Sequence, residues 1–117
     1  MPRRVSVKRG QSHPPRTKSV KRPSRWGNPE RVRDDSREER IRVMEIFWKH
    51  LRSHPELIEA ARDPEAGLRG WNLACACRPD QICHGDVWLE IANGDASLAD
   101  VKRRWERDAR AGRLPLR

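Results

Sequence analysis

With 117 residues, the chain has room for one small domain and a single core. Hydrophobic residues make up 35% of it against 37% charged, so the core must be thin, and no run approaches the ~18 apolar residues of a membrane span. The net charge of +9 comes from the first 33 residues, which carry eleven Lys/Arg and one acid, against fifteen and sixteen in the remainder; such a stretch suits phosphate, on nucleic acid or on a nucleotide.

Residues 1–21 read as a basic arm. Within it Val5-Ser6-Val7 alternates and predicts a short strand, ended by Gly10 and the turn cluster Ser12 to Pro15. Thr17 to Val20 predicts a weaker second strand. The chain start is basic with no apolar run behind it, so it is not a secretory signal, and three cysteines, an odd number, point to a reducing, cytoplasmic setting. Arg22 to Pro29 must be a loop, because two prolines and a glycine exclude regular structure. It joins a guanidinium, an indole, a turn glycine and an amide, equipment suited to an anionic or planar ligand.

Ser36-x-x-Glu39 forms a capping box, and Ile41, Met44, Trp48 and Leu51 follow at helical spacing with Val43 and Phe47 beside them. Ser53-x-x-Glu56, with Pro55 in the first turn, opens a short second helix to about Ala61, closed by Asp63-Pro64. A turn-rich connector, Glu65 to Gly70, leads to the small apolar run Leu73 to Cys77. Bounded by Asn72 and Arg78-Pro79, that run reads as a buried strand. A third helix starts near Cys83, with Asp86 in its first turn, and stops at Asn93-Gly94. Ser97-x-x-Asp100 caps the last helix, with Leu98, Val101, Trp105 and Ala109 on one face and Gly112 and Pro115 at its end.

This order predicts an α/β fold, with a small, mainly parallel sheet of two or three short strands covered by about four helices. The domain proper spans 22–111, between the arm and a 112–117 tail. The long helical crossover between Val5–Val7 and Leu73–Cys77 favours parallel pairing. Trp26, Trp48, Trp71, Trp88 and Trp105 are expected to supply much of the buried area.

All three cysteines and His84 fall where the central strand ends and the next helix begins, the place where ligands gather in open α/β sheets. Cys75 and Cys77, two apart on a strand, should share a face. Cys83, beside His84 at a helix N-terminus, has its thiolate favoured. Cys83 or Cys77 is the candidate nucleophile and His84 the base or proton carrier, while Asp86 either complements the helix dipole or orients the imidazole. Cys75 alone, among alanines, reads as a core residue. His13, His50 and His54 read as solvated. The preferred reading assigns no metal and no cofactor: C-x-C-x5-C-H is not two C-x2-C pairs, and adjacent Cys83 and His84 are not expected to converge on one ion. The alternative is zinc on Cys75, Cys77, Cys83 and His84.

Arg25-Trp26-Gly27-Asn28-Pro29, followed about forty residues later by Leu68-Arg69-Gly70, Cys75-x-Cys77 and Cys83-His84-Gly85-Asp86, resembles a small bacterial and phage domain of unknown function. Those two motifs mark that family, and the resemblance covers roughly residues 5 to 93. It implies an α/β domain in which the R-W-G-N-P loop and the C-H-G-D turn face one another, and it implies no reaction. Three features depart from the pattern: Glu30 after the proline, Ala76 between the first two cysteines, and the basic segment before Arg25.

The expected function is one polar pocket for a phosphate-bearing or nucleotide-like ligand. Arg25 pairs the anion, Trp26 packs or stacks, Gly27-Asn28 shapes the loop, and N–H groups from Cys83 to Gly85 complete the site. The alternative is a nucleic-acid-binding accessory protein that uses the basic arm. No membrane partner is expected, and the sequence leaves protein partners open.

Overall fold

A computed structural model describes residues 2–6, 14–77 and 81–112. In chain order its elements are β1 (Arg4–Ser6), β2 (Thr17–Ser19), α1 (Arg37–Ser53), α2 (Pro55–Ala61), β3 (Asn72–Cys75), α3 (His84–Ala92) and α4 (Leu98–Arg110). Val7, Gly10, His13, the Arg78-Pro79 breaker and Pro115 lie outside the described residues. The architecture is the α/β class expected: four helices and an open, three-stranded parallel sheet of order β1-β3-β2.

β3 is central because, after the half-buried Asn72, its side chains are apolar enough to be buried. Leu73 and Ala74 are fully covered and Cys75 nearly so. Arg4-Val5-Ser6 and Thr17-Lys18-Ser19 flank it in register, with Arg4 and Lys18 both opposite Leu73. The basic arm therefore supplies both outer strands. Charge is tolerated there because an edge strand has a polar side open to other partners. The Lys18 ammonium donates to the Glu65 and Gly67 carbonyls at 2.5 and 2.7 Å and lies 4.4 Å above the Trp71 ring.

Local signals place the helices, with three revisions. The Ser36 hydroxyl caps α1 by accepting the Glu39 N–H at 3.1 Å, but the other half of the box does not form. The Glu39 carboxylate instead accepts the Arg33 N–H at 2.6 Å and pairs with Arg42 at 2.6 Å, while the Ser36 N–H donates to Asp34. Ser53 does not cap α2: it is the last residue of α1, His54 intervenes, and Pro55 at the first helical position starts α2 without a side-chain cap. α3 is stopped by Asn93 rather than by Gly94. Asn93 sends its backbone N–H and side-chain amide to the Leu89 carbonyl and accepts the Gly70 N–H.

Helices α1, α3 and α4 close over one core. Trp88 is fully buried, edge-on to Trp26 at 5.3 Å and to Phe47 at 5.7 Å, and its indole N–H donates to the Trp26 carbonyl at 2.8 Å. Trp105 brings α4 against Trp48 of α1, with centroids 6.0 Å apart. Four of the five tryptophans are core residues. Trp71 stays half-buried and serves instead as a platform for the Arg16 and Lys18 cations. His50 is likewise not simply solvated: it is half-buried, with its ring 6.5 Å from Phe47, and its carbonyl meets the His54 ring at 2.8 Å. No helix among the described residues is long and apolar enough to cross a membrane.

Candidate functional site: a cysteine–histidine corner on a basic cavity

At the C-terminal end of β3 the chain bends at Ala76, and this returns Cys77 to the side of Cys75, with their sulfurs 3.3 Å apart. Cys83 then enters from the start of α3. Its thiol lies 3.2 Å from Cys75 Sγ and, as the helix N-cap, also accepts the Gly85 N–H at 3.4 Å. The Gly85 N–H, expected to await an anion, is thereby committed. A Cβ at Gly85 would meet Arg4 Cδ at 3.1 Å, a tight contact that glycine avoids.

The expectation that Cys83 and His84 diverge is overturned. Cys83 is extended (φ −143°, ψ 141°) whereas His84 is already helical, and the change in backbone direction swings both side chains to one side. His84 Nδ1 lies 3.9 Å from Cys83 Sγ, and one ligand atom each from Cys75, Cys83 and His84 falls within 4.8 Å of the others. Cys75 is therefore part of this cluster as well as of the core. The opposite ring nitrogen, Nε2, is 2.8 Å from the Val20 carbonyl. A carbonyl can only accept, so Nε2 carries the proton and Nδ1 presents its lone pair to the sulfurs. Burial pushes the imidazole below its ordinary pKa, which keeps it neutral.

Two arginines from distant elements fix this corner. Arg4 of β1 donates to Asp86 at 3.0 Å and to the Gln81 carbonyl at 3.0 Å. Asp86 thus serves a buried ion pair across the sheet. Arg40 of α1 donates to the Ile82 carbonyl at 3.0 Å and to Cys77 Sγ at 3.3 Å. The thiols form a chain in which Cys83 donates to Cys75 and Cys75 to Cys77. Accepting these bonds holds Cys77 well below the usual thiol pKa, with Arg40 adding to the effect; donating them, together with burial, pushes Cys83 and Cys75 up. Cys77 is also the least buried of the three.

A cavity of about 410 Å³ opens in front of the corner. Cys75, Cys77, Cys83 and His84 line it on one side and Asn28 on the other, so the R-W-G-N-P loop and the C-H-G-D turn border one hollow. The loop contributes less than its motif promised. Asn28 is buried, donating to the Val43 carbonyl at 3.0 Å and accepting the Glu30 N–H at 3.0 Å. Trp26 is in the core against Trp88, and Gly27 makes a turn bond to the Ser24 carbonyl. Arg25 is exposed, stacked over the Trp26 ring at 4.8 Å, and does not line the cavity. Among the described residues the cations on the wall are Lys21, Arg22, Arg31 and Arg40, and the one carboxylate is Glu30. Arg22 and Arg40 were not singled out from the sequence. The only signal for Arg40 was a cation at 40 between the apolar positions of an amphipathic helix.

The fold and this corner define a small α/β domain with a cysteine–histidine turn set against a basic hollow. The chain belongs to the domain-of-unknown-function family DUF4326, whose profile matches residues 4–94. The match begins at β1 and ends just past α3, so both arm strands belong to the shared domain and α4 lies beyond it. No curated protein and no solved structure matches the chain.

Proposed function

We propose that the hollow binds a phosphate-bearing ligand, of nucleotide-like size, through its cationic wall. One observation carries the reading: among the described residues, Lys21, Arg22, Arg31 and Arg40 line the cavity and Glu30 is the one carboxylate beside them. Guanidinium and ammonium groups gathered on one hollow pair with phosphate through charge-assisted hydrogen bonds. Glu30 does not neutralise these cations, because its carboxylate is already paired with Arg42 at 3.1 Å. The volume suits a small molecule and lies in the range of ordinary ligand clefts. Arg25 takes no part in this reading, and no reaction is assigned.

Titration calorimetry with inorganic phosphate, a nucleoside monophosphate and the parent nucleoside tests the proposal. The monophosphate should bind and the nucleoside should not, and Lys21→Ala with Arg31→Ala should weaken binding by about tenfold or more. Absence of heat with every phosphate compound would remove the proposal. The rival, nucleic-acid binding by the basic N-terminal residues, predicts affinity for oligonucleotides that falls steeply and linearly in log–log form with salt.

A further inference from the structure

We propose that the corner holds one zinc ion, ligated by Cys75, Cys83 and His84 and closed by Cys77. The inference does not depend on what the hollow binds. Zinc takes sulfur and imidazole nitrogen tetrahedrally, with Zn–S near 2.3 Å and Zn–N near 2.0–2.1 Å. Ligand sulfurs around such an ion stand roughly 3.7–3.8 Å apart, and sulfur and nitrogen about 3.6 Å apart. Here the sulfurs of Cys75, Cys77 and Cys83 are separated by 3.2–3.3 Å along their hydrogen-bonded chain, and Cys83 Sγ to His84 Nδ1 is 3.9 Å. Moving the Cys75 and Cys83 sulfurs outward and the ring inward by about half an ångström accommodates the ion, while Cys77, outside this group of three, has to turn further in to close the shell.

Three further features suit a metal better than a packed core. Thiols are weak hydrogen-bond donors, so three of them gathered on one another gain little without an ion to share. The His84 ring is oriented as a ligand: its Nε2–H is anchored on the Val20 carbonyl and its Nδ1 is turned to the sulfurs, the outer-shell arrangement that metal-bound histidines use. The charge also balances. Three thiolates and a dication leave one negative charge, and Arg40 donates directly to Cys77 Sγ. The convergence of Cys75, Cys83 and His84 on one point selects a single ion, because a two-iron cluster holds its ligands as two separated pairs. Soft thiolates with one imidazole in a tetrahedral set select zinc over magnesium or calcium.

The test uses the full chain, purified with reductant and without chelator. Elemental analysis should find about one zinc per chain. Replacement by cobalt(II) should give the intense visible bands of a tetrahedral thiolate site. Cys83→Ser should lose the metal. Cys77→Ser should keep it but release it faster to a chelator, and Arg40→Gln, which strips the outer-shell donor from Cys77, should weaken affinity about 10- to 100-fold. Because a buried variant can fail to fold, the wild-type metal content and cobalt spectrum stand by themselves. Wild-type protein without transition metal that takes up no cobalt overturns the proposal. So do a folded Cys83→Ser variant with full zinc content and an iron–sulfur spectrum in the wild type.

Discussion

Helix α3 joins two regions built on opposite principles. Around Trp88 the partners are apolar, the contacts are aromatic edges, and the polar atom of Trp88 itself, the indole N–H, is satisfied by the Trp26 carbonyl. At the N-terminal end of the same helix, one turn away, Arg4, Arg40, Asp86 and the Val20 carbonyl hold the corner. Burial there is offset by charge-assisted hydrogen bonds between residues as many as 82 positions apart. The aromatic region supplies stability through area. The corner gains little net stability from its paired charges, yet it fixes where four chemically active atoms point.

The contrast can be broken by mutation. Trp88→Ala should cost the most, about 3–5 kcal/mol, since it removes the fully buried indole and orphans the Trp26 carbonyl; urea unfolding measures it. Trp105→Ala should follow at about 3 kcal/mol, and a loss below ~0.5 kcal/mol would make α4 an appendage. Arg4→Leu should cost about 3 kcal/mol by breaking the buried ion pair with Asp86, whose side chain is only 13% exposed. The sharper version is the pair Arg4→Leu with Asp86→Leu. If the corner is built for placement, the double variant should recover most of that loss in a double-mutant cycle. Recovery of none would show the ion pair to be a net source of stability.

Smaller effects test the helix ends. Ser97→Ala removes the hydroxyl that accepts the Asp100 N–H at 3.2 Å and should cost about 1 kcal/mol. Glu39 gives a pH signature. Its hydrogen bonds with Arg42 hold the carboxyl at about 2, below the ordinary 4.5, so its contribution is complete above pH 4.5 and is lost as pH falls toward 2. Glu39→Gln should therefore flatten the acid limb of the stability profile in that window and leave its shape above pH 5 unchanged. An identical acid limb in both proteins would place the acid lability elsewhere.

Reading the chain alone located α1, α3 and α4 through their caps and periodic apolar faces, and it located β3 through its short apolar run. These signals are local, encoded within a turn or two of the residues they position. The parallel pairing of β1 with β3 was also legible, because a helical crossover imposes it. The sequence gathered the three cysteines and His84 at one strand–helix junction, again from neighbours in the chain. It misjudged whether they converge, because a side chain's direction at an N-cap depends on a change of backbone angle that spacing does not show.

What only the tertiary structure decided was the company these residues keep. Arg25 carried the recognisable motif yet turns outward onto Trp26, while Arg22, unremarked, lines the hollow. Arg4 and Arg40 looked like members of a basic arm and a charged helix face, and they are the two cations that brace the corner. The physical reason is range: a cap or an apolar stripe is settled within a few residues, whereas a buried charge finds its counterpart only after strands and helices from both ends of the chain have been brought together.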